Sequence, residues 1–413
     1  MEAAGTAAQQ QQDRKASPLP QATPGGFGSF HSGDVEVLIR QPHGAYTPPP
    51  PPFESPPQLA PDLATRPFGA AFRDQFLIDF DSWTFVNHGA FGGVLAAVAD
   101  DAERWRRHCE RQPLRHLDRR VPELFPQLVR VIRDVAAFCG AEPQDLVLLP
   151  NATTALNVVV TSVVGGLGPG DTVYSLDIGG VPVLIDGAHA LAQLPLDLGA
   201  LGADYLVSNC HKWLGGARGG ALLWVRRALQ GGVRPLVVSH GSGCGFLSDF
   251  IWDGCRDYAP QLSLSTALAW WRAVGPARAR AYMHGLLRDA VALLERSWGT
   301  RALAPPGSGL VAAMACVEVP AAAVAAVRRQ RLGRGRAAGG EGGAGDGEPV
   351  VVGPPVSEDA SWLQDALHFV HRVEVPVKLL GGCLWVRISA HVYNTPDDYQ
   401  RLADAVLAVA GDG

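Results

Sequence analysis

Apolar and polar positions recur with two different periods along this chain, and the change of period divides it into elements. Residues 94–111 and 122–139 carry apolar residues at helical spacing. In the first, Asp100, Asp101, Glu103, Arg104, Arg106 and Arg107 form a charged face, so the spacing predicts amphipathic helices. Short, nearly unbroken apolar runs at 145–149, 181–185, 205–208 and 221–225 predict buried strands. Between the second and third of these lies room for a helix, at about 196–202. That makes a strand–helix–strand unit whose strands are expected to run parallel. Downstream, 262–280, 281–298, 321–331 and 361–372 read as helices, and 310–319, 375–380 and 384–388 as strands.

Composition adds boundaries to this pattern. A Gln tract at 9–12 and five consecutive prolines at 48–52 mark residues 1–67 as a disordered arm that buries too little surface to offset its ordering entropy. A proline run can dock an SH3-like or WW-like module, but it is more often only a stiff spacer. A Gly-rich stretch at 333–349 reads as a flexible insertion. The 413 residues are 47% hydrophobic with a net charge of −5, which supports a large core and gives no electrostatic case for nucleic acid. No apolar run is long enough to span a membrane, and no secretory signal pattern is evident. Seven scattered cysteines with no C-x-x-C pair favour a reducing compartment, and the expected location is the cytoplasm.

Chemistry concentrates at 204–227, where a strand ends in Asn209, Cys210, His211 and Lys212 before a Gly-rich turn and a second strand. A lysine at the carboxyl end of a buried strand is unusual unless it has a partner or a function. Burial lowers its pKa and frees a neutral amine able to form a Schiff base with an aldehyde cofactor. The preceding strand ends in Asp186-Gly187-Ala188-His189, so Asp186 and Lys212 are expected at one sheet edge, where open α/β folds bind ligands. A snorkelling surface lysine is the plain alternative.

The motifs D-G-A-H-A (186–190) and N-C-H-K-W-L-G-G-A-R-G (209–219) resemble the class V aminotransferase family, most of all its isopenicillin-N-epimerase-like branch. The resemblance implies an α/β fold, pyridoxal-phosphate fold type I. It has a large domain built on a mostly parallel sheet (68–298) and a small α+β C-terminal domain (299–413). It further implies pyridoxal 5'-phosphate on Lys212, with Asp186 at the pyridine nitrogen, His189 near the ring's phenolic oxygen, and Asn209 and His211 nearby, His211 toward the phosphate. N-A-T-T-A-L-N (151–157) resembles the family's phosphate turn, placing Ala152 and Thr153 on the phosphate at a helix N-terminus. W-D-G-C-R-D (252–257) resembles a loop that reaches the neighbouring subunit's phosphate, here through Gly254 and Cys255, and so implies a homodimer. Asn87, His88 and Gly89 resemble a turn over the substrate. Arg387 resembles the arginine that grips the carboxylate of an amino-acid substrate in two parallel hydrogen bonds.

Two departures stand against this. Cys255 replaces a threonine, and a thiol is the weaker donor. Asp177 to Gly180 runs almost directly into Val181, where relatives hold a ring-stacking residue and several tens of further residues. A family segment is thus missing near 180/181. Two readings follow: an enzyme working on an amino acid as an epimerase, lyase or aminotransferase, or a truncated and catalytically incompetent isoform or paralogue.

Overall fold

The computed structural model describes residues 32–53, 58–117, 123–164, 182–305, 307–338 and 353–411. Helix α1 (Ser32–Arg40) opens the described chain, followed by α2 (Ala96–Arg111), α3 (Leu124–Phe138), strand β1 (Leu146–Leu149) and α4 (Ala152–Val164). Strands β2 (Leu184–Asp186), β3 (Tyr205–Asn209) and β4 (Ala221–Val225) complete a sheet of order β1-β4-β3-β2. Helices α5 (Leu264–Val274) and α6 (Pro276–Trp298) lead to a second sheet of β5 (Met314–Glu318), β6 (Val377–Leu380) and β7 (Cys383–Ser389), in order β5-β7-β6 and antiparallel throughout. Helices α7 (Ala321–Ala338), α8 (Ser357–Asp365) and α9 (Pro396–Gly411) belong to this C-terminal part.

The expected parallel pair is present. β2 and β3 run parallel with Asp186 opposite Val207, whereas β4 is antiparallel to both β3 and β1. Among the described strands β1, β2 and β3 therefore share one direction, as expected of a mostly parallel sheet, and β4 alone opposes them. The Gly-rich connection from β3 to β4 is too short for a parallel crossover, which needs a dozen residues or more. Nor does the crossover from β2 to β3 form the helix expected at 196–202. Those residues are turns, with Ala192 and Gly202 at positive φ and Pro195 between them. β1, β3 and β4 are wholly buried, but Leu184 and Ile185 of β2 are half-buried and Asp186 is exposed. The junction at 177–181 lies outside the described residues.

The arm is not wholly disordered. Val35 and Ile39, four apart on α1, are buried against the first core. Arg133 of α3 donates to the carbonyls of Ile39 (2.9 Å) and Gln41 (3.0 Å). Gln127 donates to Pro50 O at 2.7 Å, and Phe53 sits 4.8 Å from the Trp105 ring. A short amphipathic run, D-V-E-V-L-I-R, thus docks despite its Gln- and Pro-rich flanks, because burying two β-branched residues offsets its ordering. At the other end, α7 runs to Ala338 and takes in the start of the expected flexible insertion; 339–352 lies outside the described residues.

Two hydrophobic cores result. One gathers the first sheet with α1 to α5; the other gathers the second sheet with α9 and the C-terminal half of α6, from Leu286 to Trp298. α6 therefore passes from the first core into the second before it ends, at the expected domain junction at 298/299. No helix among the described residues is long and apolar enough to cross a membrane.

Candidate active site

The parallel register of β2 and β3 carries Asp186 and the residues after Asn209 to the same sheet edge. There the Lys212 Nζ lies 2.8 Å from His189 Nε2, and the Trp213 indole N–H donates to His189 Nδ1 at 3.3 Å. This chain of contacts fixes protons. An indole N–H only donates, so Nδ1 is the acceptor and the neutral imidazole carries its hydrogen on Nε2. That hydrogen points at Nζ, which must accept it through a lone pair. This arrangement favours the neutral amine.

Burial lowers the Lys212 pKa, and the charge of Arg387 lowers it further, against an opposing pull from Asp186. Burial, then Lys212 and Arg387, bring His189 down to about 4. Both groups are therefore biased to the neutral state that the hydrogen-bond directions require.

A turn that precedes α2 closes over this pair. The His88 ring is fully buried; its Nε2 donates to Lys212 O at 3.1 Å and its Nδ1 accepts from Tyr393 Oη–H at 2.8 Å. His391 stacks on His88 with ring centroids 4.0 Å apart and contacts Trp213 O through Nε2 at 3.3 Å. Gly92, at φ +72°, presses the turn onto the lysine; a Cβ there would overlap the His211 carbonyl. Gly89 N–H donates to Ser389 Oγ at 3.2 Å. Arg387 of β7 reaches Asn87 Oδ1 at 3.4 Å, and Asn87 Nδ2 donates to Glu374 Oε1 at 2.9 Å.

The remaining predicted residues divide. Asn209 Oδ1 accepts from Ala152 N–H at 2.9 Å, tying the first turn of α4 to β3, while Asn151 Oδ1 accepts from Thr154 N–H at 2.8 Å. Thr153 is exposed beside them. His211 is half-buried, and its Nδ1 is a buried atom with no partner among the described residues. Asp186 stands exposed at the strand end, one oxygen accepting from Ala188 N–H. Gly254 and Cys255 do not join this cluster: Cys255 lines a separate cavity with Arg106, Cys109 and His116. Sequence reasoning missed Trp213, His391, Tyr393 and Glu374. His391 and Tyr393 lie just past the end of β7, where strand alternation no longer applies.

His88 also makes the fold acid-sensitive. Burial holds its pKa at about 4, while an unfolded histidine titrates near 6.5. Between those values the unfolded chain binds the extra proton, so stability rises with pH there and is lost as pH falls from about 6.5 toward 4. At about 1.4 kcal/mol per pH unit the contribution amounts to ~3 kcal/mol. Urea titrations from pH 4.5 to 7.5 should show His88→Gln with a shallower stability slope, by about one proton, than the parent.

Comparisons with known proteins bear on the fold and the family. Residues 175–329 match the aminotransferase class-V family model. L-cysteine desulfhydrase of Arabidopsis thaliana is 29% identical over 253 residues, covering 56% of this chain and 48% of the relative. Isopenicillin N epimerase of Amycolatopsis lactamdurans is 26% identical over 242 residues, covering 55% and 52%. The chain thus spans about half the length of the curated relatives it matches. Among solved structures, the cysteine desulfurase CsdA of Escherichia coli superposes with a TM-score of 0.59 at 16% identity, covering 82% of this chain and 98% of that one. A complex of the cystine C-S lyase C-DES gives 0.55 at 14% identity, covering 79% and 97%. At such identities these likenesses establish the fold. Over residues 175–329 the chain is thus similar to the class-V aminotransferases, and its fold is that of pyridoxal-phosphate proteins such as the C-DES mutant solved with glycine linked to its PLP cofactor.

Proposed function

We propose that the chain is a pyridoxal-phosphate-dependent lyase that cleaves a carbon–sulfur bond of an amino acid, with L-cysteine as the first substrate to test. The observation that carries the reading is the 2.8 Å contact between Lys212 Nζ and His189 Nε2–H, which requires a neutral, nucleophilic amine. The residues fit the cofactor. A carboxylate, an imidazole and a neutral amine meet at one sheet edge, and His211 offers a buried nitrogen with no partner among the described residues. Lys212 would hold the cofactor's aldehyde carbon, Asp186 its pyridine nitrogen, and His211, with the first turn of α4, its phosphate. When bound, pyridoxal phosphate supplies the electron sink for a carbanion at the substrate α-carbon.

The protein's part is then positioning and proton movement. Arg387 binds the substrate carboxylate through its guanidinium fork, and Asn87, anchored on Glu374, orients that fork. Lys212 Nζ would take the α-proton as general base. His189 keeps the amine aimed, and the His88 turn excludes water from above. Loss of the β-sulfur as sulfide, followed by hydrolysis, converts L-cysteine and water to sulfide, pyruvate and ammonia. The relatives' names, desulfhydrase and epimerase, support a reaction that begins at the α-carbon.

A second reading, a protein with no catalytic activity, is favoured by one feature. β2 lies at the described edge of the sheet with Asp186 exposed, whereas a carboxylate beneath a bound ring would be covered.

Purified protein supplied with pyridoxal phosphate should show visible absorbance that borohydride fixes, and Lys212→Ala should lose it. A folded protein that stays colourless would favour the second reading. With L-cysteine as substrate, Arg387→Gln should raise KM about ten- to a hundredfold, the worth of a charge-assisted carboxylate contact. An unchanged KM would remove Arg387 from the substrate site.

A further inference from the structure

A second cluster of chemistry-bearing side chains lies apart from Lys212. His108 closes α2, His116 sits in a short helix (Pro113–Leu117), and Glu123 precedes α3. One ligand atom of each, two imidazole nitrogens and a carboxylate oxygen, falls within 4.8 Å of the others. His108 Nε2 is 2.7 Å from Glu123 Oε2, and His116 Nδ1 is 3.6 Å from that same oxygen. Tetrahedral ligands about 2.0–2.1 Å from a zinc ion stand roughly 3.4 Å apart. The second separation already suits an ion, and the first needs to open by less than an ångström.

An independent observation points to a ligand there. The His116 side chain is only 3% exposed, and its Nδ1 is buried with no hydrogen-bond partner among the described residues. A buried ring nitrogen without a partner costs about 1–3 kcal/mol. At 3.6 Å from the carboxylate it is beyond hydrogen-bond reach yet aimed at the cluster. Arg115 Nε holds the other carboxylate oxygen at 2.6 Å, so Glu123 offers a single oxygen. The ring of Trp105, 6.1 Å from that of His116, walls the cluster on its apolar side. A cavity of about 630 Å³, lined by His116, Cys109 and Arg106 among others, opens beside it.

We propose that His108, His116 and Glu123 form a zinc site with three protein ligands and a fourth position open to this cavity. Two imidazoles and one carboxylate suit zinc, and three ligands leave room for water or a small anion. The ion would join the end of α2 to the start of α3 and so stabilise the fold by mass action. This site is independent of the lyase reading.

The test is calorimetric titration of the full chain, freed of metal with chelator, using zinc chloride. Wild type should take up one tight equivalent and show a higher Tm in zinc. Glu123→Gln, similar in shape but uncharged, should bind at least about tenfold more weakly and lose the Tm shift, with its far-ultraviolet circular dichroism unchanged. If that variant does not fold, His108→Gln, at a partly exposed position, serves instead. Cobalt titration of wild type gives a reading that needs no variant. Visible bands of a four- or five-coordinate nitrogen and oxygen site support the proposal. Thiolate charge-transfer bands, no uptake, or equal uptake by wild type and variant would overturn it.

Discussion

One hydrogen-bond chain sets the chemistry of this protein: Trp213 N–H to His189 Nδ1, and His189 Nε2–H to Lys212 Nζ. Because the indole can only donate, every proton downstream of it is assigned, and the lysine is left with a lone pair in place of a charge. Burial and the nearby Arg387 push the same way, against Asp186. A protonated lysine would have to displace either the imidazole hydrogen or the indole. A neutral amine is thus favoured by the packing of two consecutive side chains against a third from the end of the neighbouring strand.

The two cores meet at this point. His88 and Gly92, from a turn that precedes α2, bear on the backbone of Lys212 and His211, while Tyr393 and His391, which follow the last strand of the C-terminal sheet, hold His88 from behind. Arg387 comes from that same strand. The lysine thus belongs to the first sheet and Tyr393 behind His88 packs in the first core, while the guanidinium beside the amine is carried by a strand of the second. A shift between the cores would alter the charge at the amine, which couples the site to the integrity of both.

Much of this was legible in the residues. Lys212, Asp186 and His189 declared themselves because polar groups rarely end two buried apolar runs by chance, and the parallel register of β2 and β3 then brought them together. Asn87, His88 and Gly89 were found through a turn motif, although their partners Tyr393 and Glu374 lie about three hundred residues away in sequence and no local pattern specifies such pairings. The direction of β4 was left open because apolar runs do not carry strand polarity; connection length does. The docked helix α1 was hidden by its flanks, where composition outweighed a two-residue apolar stripe. The loop with Gly254 and Cys255 lines another cavity, beside the His108, His116 and Glu123 cluster, which the sequence signalled only as three scattered polar residues.

The central claim, a neutral Lys212, is open to direct measurement because the chain has only three lysines, at positions 15, 212 and 378. Carbon-13 labelling of lysine and an NMR pH titration of the cofactor-free protein would resolve each side chain. The account predicts one resonance that titrates well below the ordinary lysine value of about 10.4 and that disappears in Lys212→Arg. Three resonances all titrating near that ordinary value would contradict it.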